Sequence, residues 1–129
     1  MGRKKEFSEI EVEEALSVFC TPPRWPCNQW FAFGPMQIYM RRSVRCLHGT
    51  DETVRALDIA NVEVAQSQRG KGLFGRLLNA VDAVGATTGT HIIYVESVLN
   101  DRFADYLKRH GFIYDTDTQP PSFYRRVGQ

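Results

Sequence analysis

Residues 62–73, Val62-Glu63-Val64-Ala65-Gln66-Ser67-Gln68-Arg69-Gly70-Lys71-Gly72-Leu73, constrain this chain more than any other stretch. An alternating apolar run ends there and a helical one begins. The polar loop between them carries two glycines one residue apart. Gly70 and Gly72 let backbone N–H groups converge, the helix start adds further donors and a partial positive charge, and Arg69 and Lys71 add full charges. Such a corner binds phosphate.

The segments around it set the layout. Ser8-Glu9-Ile10-Glu11 reads as a capping box opening a helix near 9–19, which Pro22, Pro23 and Pro26 close. Trp30 to Phe33, Met36 to Leu47 and Thr53 to Val64 read as a meander of three strands. In the third, Val54, Ala56, Asp58, Ala60, Val62 and Val64 are expected on one face. Lys71 to Val84 has helical spacing, with Gly85 as its expected stop. His91 to Val95 is continuously apolar, as in a strand buried on both faces. Asp101 to His110 is a further helix stopped by Gly111, and Phe112-Ile113-Tyr114 and Phe123-Tyr124 are the last strands. The 129 residues, with residues 1–6 a loose basic tail, suit one α/β domain.

Three phosphate-binding corners compete for the glycine loop. The P-loop is excluded because Gly72, not Ser or Thr, follows Lys71. Gly70, Gly72 and Gly75 spell the dinucleotide fingerprint, and Glu96 follows the next strand. In that fold, however, the strand runs almost straight into the first glycine. Here Ala65 to Arg69 intervene, and a three-strand meander comes first. A dinucleotide-binding domain is therefore the weaker alternative. The blandest reading, turn and cap glycines alone, explains Gly111 but leaves Gly72 at a helix start without a reason.

The third corner is the pyrophosphate loop of the GNAT superfamily of N-acetyltransferases, which Arg69-Gly70-Lys71-Gly72-Leu73 resembles. Ser67 departs from the Gln or Arg usual at the first position of that pattern. A second patch, Asn100-Asp101-Arg102-Phe103-Ala104 with Leu107 to Phe112, is similar to the family's second signature. The resemblance covers about residues 53–127. It implies a single GNAT-like domain: a mixed, mostly antiparallel sheet, helices on both faces, and a splayed parallel strand pair. It implies acetyl-CoA lying between Ala60–Val64 and Ile92–Glu96. The contacts carried over are Val62, Glu63, Val64, Gln68, Arg69, Gly70, Lys71, Gly72, Leu73, Phe74 and Asn100. The implied activity is acetyl transfer to a primary amine of a protein, peptide or small molecule.

Such a transfer needs the amine deprotonated and the carbonyl polarised. Counting six back from Val64, as the resemblance directs, makes Asp58 the first candidate base; a buried carboxylate there would be pushed toward useful basicity. Glu96 is the second, with a solvated helix cap as its bland alternative. The family's usual Tyr donor is replaced by Leu107. Tyr106, one position off, is turned about 100° away on a helix. Ser97 or Tyr124 is then the substitute donor, or the thiolate leaves unaided. Trp25, Trp30, Tyr39 and Tyr124 are candidate acceptor-lining residues, against the commoner role of core packing. The irregular Ser67 and Leu107 also support an alternative, a non-catalytic coenzyme A sensor or adaptor.

Composition narrows the rest. A net charge of +1 argues against nucleic acid as a partner. No run approaches the ~18 apolar residues of a membrane span, and no leader pattern follows the basic start, so the expected location is the cytoplasm. Cys20, Cys27 and Cys46 lack the spacing of a zinc site, so no metal is expected. The short N-terminal part predicts an open acceptor side, suited to a protein or peptide amine or to completion by a homodimer partner.

Overall fold

The computed structural model describes residues 6–21, 27–46, 52–65, 70–115 and 121–128. In chain order they form α1 (Glu9–Cys20), β1 (Asn28–Phe33), β2 (Met36–Cys46), β3 (Thr53–Val64), α2 (Leu73–Thr88), β4 (Ile92–Val95), α3 (Asp101–Arg109), β5 (Ile113–Asp115) and β6 (Ser122–Arg126). The strands make one sheet in the order β1-β2-β3-β4-β6-β5. Among the described strands only β3 and β4 pair in parallel; the other neighbours are antiparallel. The mixed sheet and its parallel pair are those expected from the sequence.

Local chemistry explains the boundaries. Ser8 caps α1, its hydroxyl accepting from the Glu11 N–H at 3.3 Å. The β1–β2 hairpin turns at Gly34, with φ of +60°. A Cβ there would lie 2.5 Å from the Phe7 backbone nitrogen, so the turn and the close approach of the N-terminal segment both require glycine. Gly85 does not stop α2, as the sequence suggested. The helix runs on to Thr88, and Gly85 lies inside it, where a Cβ would come within 2.4 Å of a Val127 methyl. Its role is close packing against the C-terminal segment.

One face of the sheet carries the larger core. Met36, Ile38 and Met40 of β2 are fully buried there, each worth about 1.5–3 kcal/mol in water-excluded apolar surface. They meet Val12, Leu16 and Phe19 of α1, Leu77 and Val81 of α2, and Leu107 of α3. The opposite face holds a smaller cluster of Val54, Ala56, Ile92 and Tyr94, with Tyr124 packed against it. Helices were expected on both faces. Instead the buried side chains of all three described helices join the larger cluster, and the smaller one draws on strands alone.

A bulge in β3 corrects a second expectation. Tyr39 pairs with Asn61 and Met40 with Ile59, which leaves Ala60 as an extra residue in β3. The extra residue flips the alternation. Val62 and Val64 therefore join Leu57 and Ile59 on the helical side, whereas Val54, Ala56 and Asp58 face the other way.

Candidate functional site

The bulge sits where the parallel pair comes apart. Four register pairs, Ala56 with Ile92 through Ile59 with Val95, join β3 to β4. One further bond follows, from the Glu96 N–H to the Ile59 carbonyl at 3.0 Å. β4 then ends, and Ser97 turns the chain with φ of +54°, a left-handed conformation that costs a non-glycine residue about 1–2 kcal/mol. β3 continues to Val64 with β2 on one side and no described strand on the other. Alternate N–H and C=O groups between Ala60 and Val64 therefore point into a gap. A half-buried strand edge of this kind suits an extended polar ligand.

The gap opens on a cleft of ≈ 600 Å³ on the helical side. Val62 and Val64 form one wall, and Gly70, Gly72 and the first turn of α2 form its end. Side chains cap α1 and α3, and each has an acid in its first turn. α2 has neither: its cap is Gly72, at φ 72° and ψ 18°, with no side-chain bond and no first-turn acid. Its first N–H groups and its positive dipole end thus face the cleft with no side-chain cap among the described residues. The third wall is aromatic, with Phe74 edge-on to Phe103 at 5.0 Å and to Tyr106 at 6.0 Å. Tyr106 also stacks on His110 at 3.9 Å, and burial pushes its phenol pKa up. Its hydroxyl lies beside α2, 3.2 Å from where a Cβ on Gly75 would stand.

On the opposite side of the sheet, a charged network flanks the point of divergence. Glu96 accepts from Arg41 at 2.7 Å, with Arg45 at 3.9 Å. Asp58, only 2% exposed, is held by Nη2 and Nε of Arg45, at 2.8 and 3.2 Å, and by the Ser43 hydroxyl at 2.9 Å. Arg45 also lies over the Tyr94 ring at 3.6 Å, and Tyr94 donates to Asp115. Burial first, and the Asp115 pair second, push the Tyr94 phenol up to about 12. Trp30 and Tyr39 share this face, packed on each other at 5.3 Å, and Trp30 is half exposed.

The structure brings together around the cleft Val62, Val64, Gly70, Gly72, Leu73, Phe74 and Asn100 of the residues chosen from sequence. Glu63 and Lys71 are exposed and do not line it, and Gln68, Arg69, Ser67 and Trp25 lie outside the described residues. Asn100 is the cap of α3, its Oδ1 accepting from the N–H groups of Arg102 and Phe103. Glu96 and Ser97 stand at the divergence, and the Ser97 N–H bonds the Ser122 hydroxyl at 3.3 Å. Asp58 lies further back along β3, locked in its ion pair. Sequence reasoning passed over Gly75, Arg102, Phe103 and Tyr106 as cleft residues. The spacing of Phe103 and Tyr106, one helical turn apart after the Asn100 cap, was the available signal.

Neither a protein-family model nor a curated protein matches the sequence, so the likeness to known proteins is structural. A tyrosine-to-phenylalanine variant of the toxin AtaT, bound to acetyl-CoA and the C-terminus of its antitoxin AtaR, aligns with a TM-score of 0.56 and 18% identity over 71% of this chain. The chain spans 58% of the length of that AtaT. The KacTA–DNA complex aligns with a TM-score of 0.61 and 16% identity, over 88% of this chain and 80% of the other. A GNAT-family acetyltransferase from Listeria monocytogenes aligns with a TM-score of 0.51 and 11% identity, over 73% and 65%. AtaT has also been solved with acetyl-methionyl-tRNA, so nucleic acid accompanies two of these neighbours. At these identities the likeness is one of fold, and the fold is that of the GNAT acetyltransferases.

Proposed function

We propose that this protein is an acetyl-CoA-dependent N-acetyltransferase acting on a primary amine. The observation that carries the reading is the divergence of β3 from β4 beyond Ile59 and Val95, directly onto a cleft ended by the uncapped α2. The residues present fit the cofactor. Gly70, Gly72 and the first turn of α2 would hold its pyrophosphate through backbone N–H groups. The β3 backbone that faces the gap would bond the amides of its pantetheine arm, against the apolar walls of Val62, Val64, Phe74 and Phe103. When bound, acetyl-CoA supplies the thioester whose acetyl group passes to the amine nitrogen as its C–S bond breaks.

Glu96 is the best-placed base of the three catalytic candidates. It stands at the end of β4, at the divergence, and its carboxylate is accessible, at 20% exposure against 2% for Asp58. It would take the amine's proton, and Arg41 and Arg45 would orient its carboxylate. Asp58 has a different part, since neutralising it would leave Arg45 without its closest partner; it fixes the arginine that borders the site. Ser97 is a donor candidate through its position and strained backbone. No described helix covers the face bearing Trp30, Tyr39 and Glu96, which favours a protein or peptide amine over a small molecule enclosed in a pocket.

The sensor reading keeps one observation in its favour: fully buried Leu107 stands where the related pattern has tyrosine, and it packs in the core. Tyr106, however, reaches the cleft, contrary to the rotation argument from sequence. An acetyl-transfer assay over a panel of amines, including lysine-bearing peptides, separates the two. Transfer that is lost in Glu96→Gln supports the enzyme. Tight coenzyme A binding with no transfer to any amine supports the sensor.

A further inference from the structure

A second groove, of ≈ 380 Å³, lies away from the cleft, between α1 and the outer side of β1. Its floor is the strand Gln29 to Phe33, and its wall is the α1 face bearing Glu11, Glu14 and Ala15. β1 is a terminal strand of the sheet. The Arg42 N–H donates to the Cys27 carbonyl at 2.8 Å, which sets the parity of the β1–β2 ladder. Odd-numbered residues of β1 bond to β2, and Asn28, Trp30 and Ala32 turn their N–H and C=O groups away from it. Among the described residues no strand pairs with this edge, and such an edge is a template for another strand.

The wall selects what that strand carries. Residues 9–20 include Glu9, Glu11, Glu13 and Glu14 and no lysine or arginine. Glu9 pairs with Arg76 at 3.0 Å, on another side of the helix. Glu11 and Glu14 are three residues apart, hence on one side of α1 and about 4.5 Å apart along its axis. Alternate side chains of an extended strand project to one side about 6.8 Å apart, close enough for two of them to meet both carboxylates. A second copy docked edge to edge through β1 would instead set these acidic walls against each other.

We propose that this groove docks an extended basic segment of a partner protein, which adds to the sheet beside β1 and sets lysine or arginine side chains against Glu11 and Glu14. The inference does not depend on acyl transfer. The test uses the full chain and a labelled synthetic peptide of alternating threonine and lysine, with binding followed by fluorescence anisotropy. Three proteins are compared: wild type, the double variant Glu11→Lys with Glu14→Lys, and Ala32→Pro, which removes an outward N–H and leaves the β2 ladder intact. Coenzyme A binding and thermal unfolding report that each variant is folded. Saturable binding, weakened about tenfold or more in each variant and absent for the threonine–glutamate peptide, is expected. Equal binding of the acidic peptide, or no binding by the wild type, would overturn the proposal. So would tighter binding after deletion of residues 2–5, which would make the chain's own Arg3-Lys4-Lys5 segment the occupant, or a dimer that the charge reversal strengthens.

Discussion

Gly72→Ala offers a direct test of how α2 begins. Gly72 has φ 72° and ψ 18°, and a Cβ built on it meets nothing within 4 Å. The methyl group therefore costs the protein only backbone strain, about 1–2 kcal/mol for an L-residue in the left-handed region. A less flexible unfolded chain makes unfolding harder and offsets up to about half of that. A net loss of about 1 kcal/mol lowers the Tm of a chain this size by roughly 4 °C. Gly89, at the other end of the same helix, has φ 75° and ψ 18°, and its Cβ would approach only the flexible end of Arg55. Gly89→Ala should lower the Tm by a similar amount. The two variants part at the ligand. Gly72 lines the end of the cleft, so a methyl there takes up ligand space and calorimetric titration should show coenzyme A binding weakened about tenfold or more, a difference of about 1.4 kcal/mol. Gly89→Ala should bind as the wild type does. Equal coenzyme A affinity in Gly72→Ala and Gly89→Ala would refute the assignment of the α2 N-terminus as the pyrophosphate site.

Four further outcomes follow from the same geometry. Glu96→Gln should lower kcat about a hundredfold or more and leave coenzyme A affinity unchanged. Asp58→Asn should destabilise the fold by about 3 kcal/mol in denaturant titration, because it strips Arg45 of its closest partner, while costing less in kcat than Glu96→Gln. Tyr106→Phe should weaken coenzyme A binding about three- to tenfold with kcat nearly constant, since the hydroxyl lies at the α2 end of the cleft. The Tyr94 phenol keeps its proton in the folded protein up to about pH 12, against about 10 when unfolded. The folded state thus holds more protons in that interval. The stability it contributes is complete at neutral pH and falls as pH rises from about 10 to about 12, and Tyr94→Phe should flatten that fall in thermal scans across the range.

The order of elements was legible because its markers are local. Ser8 caps α1, Asn100 precedes α3, and Gly34-Pro35 turns β1 into β2, each through chemistry confined to a few residues. The β3 bulge left no such mark. Small apolar residues at 54, 56, 60, 62 and 64 kept a period of two straight through Ala60, so the change of face depends on pairing with Tyr39 and Met40. Gly85 resembled a helix stop because its actual partner, Val127, is far along the chain. Tyr106 was set aside by an angle measured from Leu107. Yet the cleft is bounded by the side of α3 that carries Phe103 and Tyr106, while Leu107 turns into the core. Asp58 and Glu96 were both visible as carboxylates on strands; which one is locked depended on Arg45 and Ser43 arriving from β2.

The proposed function stands on acetyl-CoA occupying the gap between β3 and β4. Native mass spectrometry of the protein mixed with one equivalent of acetyl-CoA, with NAD as competitor, tests it most directly. A single acetyl-CoA bound per chain, undiminished by NAD and reduced in Gly72→Ala, is expected. Retention of NAD in its place, or an unliganded chain under both conditions, would contradict it.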